Sequence, residues 1–277
     1  MADQDKQPDP LQGHTREWPS TPYSDEARAA ESSPEQACCI ALVGDCTVSC
    51  LRWPPANRPE NHLAVRLRRA FPGHPFLIRN LSQEGGSAGS YMRDGKLDEL
   101  SRTLGRLDIA FVRFGITDRK HDGISGCIRN LQKLCSRIAA HYPQASVVIE
   151  TGMWVNYPDH YMYDRNSKLA PLYEAMRTMA ESEGYPVIDI FAKMRAETER
   201  GNWDLRVRGL PDPEHTIVDD SFDKFFADNP AFFTNIHPNS RCMGLIADWE
   251  VEELKKLFGE GLPNAQTQHD QDIQPPS

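Results

Sequence analysis

The chain has 277 residues, 39% of them apolar and 9% aromatic, enough to bury a substantial core in one large domain rather than two small ones. Its formal net charge is −9 with acids and bases interleaved, so no basic stripe marks a nucleic-acid partner, and no apolar run is long enough to span a bilayer. Seven cysteines, an odd number at irregular spacing, argue against a disulfide framework; with no basic-then-apolar signal at the N-terminus, the expectation is a cytoplasmic protein with free thiols.

Residues 1 to about 36 are rich in Pro, Asp, Glu, Gln and Ser, and Leu11, Trp18 and Tyr23 follow no period, so a disordered leader is expected. The tail from 261 to 277 has the same character. Between them, over 37–260, short apolar runs alternate with stretches of helical period, which predicts βαβ units and a parallel sheet in a single α/β domain.

Cys39 to Val43 is the first predicted strand, and it breaks abruptly into Gly44-Asp45-Cys46. After Trp53-Pro54-Pro55 a helix is predicted from Pro59, with Leu63, Leu67, Ala70 and Phe71 on one face. Pro75 to Leu81 reads as the second strand, Ser82 to Gly89 as a flexible turn, and Leu97, Leu100 and Leu104 mark the next helix. Asp108 to Phe114 is the third strand and Gly115-Ile116-Thr117-Asp118 its turn. A long helix then carries Ile124, Ile128, Leu131, Cys135 and Ile138. Ser146 to Glu150 is the fourth strand; it opens into the aromatic and polar run Met153 to Tyr161, longer than a routine connection. Leu169, Leu172, Met176 and Met179 give another helix, Pro186 to Ile190 the fifth strand, and Ala192 to Arg200 a further helix. Another is suggested around Ser221 to Phe226, and a last one from about Asn239, directly after Asn235-Ile236-His237-Pro238.

In an open parallel sheet, the turns after the first three strands and a residue just before the last helix converge on one crevice. A thiol at the first turn, backbone N–H donors from glycines at the second, a polar donor at the third and His237 as base would compose an acyl-transfer site. Asp45 and Asp118 read as residues that tie down their own turns. Gly85, Gly86 and Gly89 fit neither spaced nucleotide fingerprint, so a nucleotide-binding module has little support. His62, His121, His160 and His215 fall at no metal-ligand spacing, and no paired CxxC is present, so neither a metal nor a cofactor is expected. Arg52, Arg206 and Arg208 suit equally a solvated surface and an anionic substrate.

The blocks Gly44-Asp45-Cys46, Gly85, Gly115-Ile116-Thr117-Asp118 and His237 resemble, in order and spacing, the four blocks of the SGNH (GDSL) hydrolase superfamily. Asn80 to Gly95 (NLSQEGGSAGSYMRDG) is similar to the rhamnogalacturonan acetylesterase type in its Ser-Ala-x-Ser-Tyr-x-Arg run. The resemblance covers roughly residues 39–258 and implies a three-layer α/β/α sandwich around a five-stranded parallel sheet of flavodoxin-like order. It further implies hydrolysis of a short acyl ester on a small metabolite or carbohydrate, with Cys46 as nucleophile, His237 as base, and Gly85 with Thr117 at the oxyanion. The family's nucleophilic Ser is Cys46 here, its third-block Asn is Thr117, and the Asp three residues before the His is Thr234. Two outcomes remain open: a changed mechanism, or a lapsed site that binds an acylated or carbohydrate ligand without turnover. An acyl transferase on the same fold is a further variant. Thr234 or Asn235 could orient the imidazole, or Asp219, Asp220 or Asp223 could supply the missing carboxylate.

Overall fold

The computed structural model describes residues 22–31, 33, 35–50, 58–155, 165–202, 238 and 240–263. Five parallel strands form one sheet: β1 (Cys38–Gly44), β2 (Phe76–Asn80), β3 (Ile109–Arg113), β4 (Ser146–Glu150) and β5 (Val187–Ile188), in the spatial order β2-β1-β3-β4-β5. β1 and β3 are buried along their whole length, as expected for parallel strands covered on both faces. The register pairs Ile40 with Ile109, Gly44 with Arg113, and Arg113 with Glu150.

The chain leaves β1 toward β2 on one side and continues from β3 toward β4 on the other. Right-handed crossovers therefore put the connecting helices on opposite faces. α3 (Pro59–Ala70), between β1 and β2, packs against the terminal helix α10 (Ser240–Phe258). The other layer joins α4 (Ala88–Arg93), α6 (Ile116–His121), α7 (Gly123–His141) and α8 (Asn166–Glu183). The four-residue α2 (Cys46–Ser49) follows β1, α5 (Lys96–Thr103) follows α4, and α9 (Ile190–Glu199) follows β5. This is the three-layer α/β/α sandwich with the flavodoxin-like strand order, and its reversal of direction falls between β1 and β3.

Three local expectations differ from what is observed. Within the leader, residues Pro22–Glu31 form a helix, α1, that covers the edge strand β2. Its apolar face is Tyr23, Ala27 and Ala30, spaced four and three apart; two of the three are alanines, too small to stand out as a period. The Tyr23 ring stacks on Phe76 at 6.5 Å, its hydroxyl donates to the Ile78 carbonyl, and Arg68–Glu26 and Arg79–Glu31 ion pairs flank it. The Ser82–Gly89 stretch is not all turn, because Ser87 and Ser90 exchange side-chain and backbone hydrogen bonds in a capping box that starts α4. β5 stops at Ile188 because the Asp189 carboxylate accepts the Ala192 N–H at 3.2 Å and so begins α9.

Among the described residues no helix is long and apolar enough to cross a membrane. All seven cysteines are free thiols.

Candidate active site

The first turn is built around a close approach. A Cβ on Gly44 would lie 2.5 Å from the Arg113 carbonyl oxygen and 2.6 Å from Val48 Cγ2, so only glycine lets the chain fold back over β3 at this point. Asp45 then donates its N–H to the Arg113 carbonyl at 3.2 Å. Its buried carboxylate caps α2, accepting the Thr47 N–H at 2.9 Å and the Thr47 hydroxyl at 2.8 Å. One carboxylate oxygen of Asp45, Oδ1, thus ties down the turn, and Cys46 is left as the first residue of α2, half-buried at the carboxyl end of β1.

The second turn is laced to the first. Leu81 donates to Leu42 O at 2.9 Å and Gln83 to Gly44 O at 2.8 Å, so the chain beyond β2 keeps running beside β1. The Gly86 N–H closes on Gln83 O at 3.0 Å, with Gly85 at φ +64° inside that turn. The backbone N–H groups of Gly85 and of Cys46 itself are near enough to act on the thiol. Both favour the thiolate, but burial and the neighbouring carboxyls of Asp45 and Glu84 outweigh them and push the thiol up to about 12. The described surroundings therefore hold Cys46 as a neutral thiol. The helix start does not offset this push, because α2 is a single turn and its cap is an acid.

Asp118 joins the second and third turns. One carboxylate oxygen accepts the Ala88 N–H at 2.9 Å, linking α6 to the start of α4. Burial, with the carboxyls of Asp45 and Asp122, pushes Asp118 up to about 7 against the opposing pull of the Ala88 N–H. The Cys127 thiol faces the same carboxyl. Thr117, half-exposed, precedes Asp118 in the first turn of α6.

Beneath these turns lies a cluster that the pattern of apolar runs did not reveal. Arg113 ends β3 and is 2% exposed; its Nε and a terminal nitrogen meet Glu150 Oε2 at 2.9 and 2.7 Å. A second carboxylate, Glu250 of α10, stands 3.5 Å from that terminal nitrogen. Burial pushes Glu250 well above the usual carboxylate range and the Glu150 carboxylate pushes it further, while Arg113 opposes both. The signal was available in the sequence: Arg113 and Glu150 are charges at the ends of two otherwise apolar strands.

His237, Thr234 and Asn235 lie outside the described residues, as do Arg52, Arg206, Arg208, Asp219, Asp220, Asp223 and the run from Asn156 to Tyr161. Trp154 is described, and its ring packs edge-on against Phe191 at 5.1 Å with the Arg195 guanidinium over it. Among the described residues no group of three His, Cys, Asp or Glu side chains could hold a metal ion.

Residues 42–243 match the model of the GDSL-like lipase/acylhydrolase family. Rhamnogalacturonan acetylesterase RhgT of Bacillus subtilis is 26% identical over 162 residues, covering 56% of this chain and 66% of that protein, so the chain spans just under two thirds of this relative. A member of the lipolytic G-D-S-L family from Veillonella parvula superposes with a TM-score of 0.55 at 14% identity, covering 78% of this chain and 97% of that one. An acetylxylan esterase from Geobacillus stearothermophilus superposes with a TM-score of 0.54 at 12% identity, covering 79% and 95%. These two likenesses show a shared fold. With the family match spanning most of its length, the chain belongs to the GDSL-like lipase/acylhydrolase family of the SGNH superfamily.

Proposed function

We propose that this protein is an ester hydrolase acting on a short acyl ester of a small metabolite or carbohydrate, with Cys46 as nucleophile and His237 as base. The observation that carries the reading is the placement of Cys46 at the head of α2, at the carboxyl end of β1, with the Gly85-bearing turn pinned to Gly44 beside it by the Gln83 N–H. The substrate class is supported by family membership and by the acetylesterase among the relatives. Seven free thiols support a reducing, cytoplasmic setting.

A thiol held neutral mainly by burial needs a base at the moment of attack. In the first step the Cys46 proton passes to the imidazole of His237 as the S–C bond forms, and the carbonyl π-pair becomes an oxyanion. The Gly85 and Cys46 N–H groups, with the Thr117 hydroxyl, stabilise that charge. Collapse expels the alcohol, which takes the proton from His237 and leaves a thioester on Cys46. Water, deprotonated by His237, then releases the acid and restores the thiol. Thr234 or Asn235 would orient the imidazole by a neutral hydrogen bond.

Incubation with a short-chain aryl ester tests this. Expected are acyl-Cys46 by peptide mass spectrometry and turnover that disappears in Cys46→Ala and His237→Ala. Equal turnover by Cys46→Ala and the parent would sink the assignment.

A second reading is a non-catalytic binder of an acylated or carbohydrate ligand. It is favoured by the upward push on the Cys46 thiol together with Thr117 and Thr234 standing where the family has Asn and Asp. Saturable binding of acetylated oligosaccharides without acyl-Cys46 would support it. Transfer of the acyl group to an added alcohol in preference to water would instead mark an acyl transferase.

A further inference from the structure

Beside Cys46 stands a carboxylate that the hydrolase mechanism does not use. Glu84 and Gly85 are the two central residues of the Gln83–Gly86 turn, and Gln83 pins that turn to Gly44, two residues before the thiol. The Glu84 side chain is exposed yet anchored, because the Ser49 hydroxyl donates to its carboxylate. Ser49 is the last residue of α2 and Cys46 the first; three residues apart, they share one face of the helix turn. The anchor for Glu84 and the thiol are thus presented side by side. Among the described residues the partner of Glu84 is this hydroxyl rather than a base, so its charge is not cancelled by an ion pair there. The carboxylate is also one of the groups felt by the sulfur, which agrees with that placement.

We propose that Glu84 sets the charge selectivity of the site. Its negative charge beside the Gly85 donor repels esters that carry a carboxylate, sulfate or phosphate close to the acyl carbon. Esters of neutral sugars or of alcohols bearing an ammonium group are favoured. This inference rests on the reading of Cys46 as the reacting residue, and it narrows the substrate class that reading leaves open.

Two probes keep the failures apart. Iodoacetamide is neutral and iodoacetate anionic; in both reactions the S–C bond forms as iodide leaves. The ratio of their rates at Cys46, followed by peptide mass spectrometry, reports the field at the sulfur whether or not any ester is turned over. In parallel, kcat/KM is measured for acetate esters with a trimethylammonium or a carboxylate group on the alcohol, each normalised to a neutral acetate ester. Glu84→Gln is expected to raise the iodoacetate-to-iodoacetamide ratio about three- to tenfold and to shift ester preference toward the anionic substrate by a similar factor, mainly through KM. Both changes should shrink in about 0.5 M salt, and Glu84→Asp should stay near the parent. A ratio that Glu84→Gln does not move overturns the role of Glu84. A ratio that moves, in a protein that turns over no ester, upholds the field of Glu84 and overturns the hydrolase reading instead.

Discussion

Arg113 and Glu150 are register partners at the ends of adjacent strands, and their side chains meet at 2.7 and 2.9 Å with both residues almost fully buried. Such a pair stabilises little against an apolar equivalent, but breaking it strands a charge in the core. Glu250 enters the same cluster as a carboxyl that burial and Glu150 keep protonated well above the ordinary range. The three positions should therefore respond unequally to substitution. Arg113→Met leaves the buried Glu150 carboxylate without its counter-charge and is expected to cost about 3–5 kcal/mol in urea unfolding. Glu250→Gln keeps the shape of a carboxyl whose ionisation burial and Glu150 oppose, and should cost under about 1 kcal/mol. Equal losses for Glu250→Gln and Glu150→Gln would contradict this division of charge.

Asp118 predicts a pH dependence. Its folded value of about 7 lies above the ordinary 3.8. Between those values the folded protein holds a proton that the unfolded chain has released. The contribution of this group to stability is therefore full below the unfolded value and is lost as pH rises through the folded one. Asp118→Asn keeps an oxygen to accept the Ala88 N–H and removes the ionisation. The melting temperature of the parent should fall more steeply than that of Asp118→Asn between about pH 4 and pH 8, and above that range the variant should be at least as stable. Parallel profiles would show that Asp118 does not titrate in this window.

The strands and the order of the site turns were legible because a parallel sheet writes its buried strands as short apolar runs, and because Gly44 and Gly85 answer to backbone needs. Gly44 is required by the approach of Arg113 O and Val48, and Gly85 by a positive φ. What escaped was cooperative or three-dimensional. The Ser87–Ser90 capping box is a reciprocal pair whose letters look like loop. The contact of Glu250 with Arg113 joins residues far apart in the chain. The upward push on Cys46 comes mainly from burial, which a motif does not encode.

α1 offers a test of how far the folded domain extends before β1. The Tyr23 hydroxyl donates to the Ile78 carbonyl on the edge strand, and its ring stacks on Phe76. Tyr23→Phe removes one buried hydrogen bond and leaves the Ile78 carbonyl without this donor, an expected loss of about 1 kcal/mol. Tyr23→Ala also removes the ring from β2 and should cost about 3–5 kcal/mol. Hydrogen exchange at β2 should speed up in Tyr23→Ala. Unchanged stability in both variants would mean that α1 contributes nothing to the fold.

The departures at Cys46 and Thr234 should be coupled if the hydrolase reading holds. A thiol gives up its proton more readily than a hydroxyl, so Cys46 can work with an imidazole oriented by a neutral group. A serine at the same place needs a carboxylate behind the imidazole to stabilise the cation that forms. Cys46→Ser alone is therefore expected to lower kcat/KM by about a hundredfold or more. Thr234→Asp alone should change the parent little, since Cys46 does not depend on that carboxylate. The double variant Cys46→Ser/Thr234→Asp should recover at least about tenfold over Cys46→Ser, a positive interaction that additivity would not give. The measurement is a four-protein cycle with one neutral acetate ester, each kcat/KM read against pH. If Thr234→Asp has the same small effect in both backgrounds, then residue 234 does not serve the imidazole, and Asp219, Asp220 and Asp223 become the positions to substitute next.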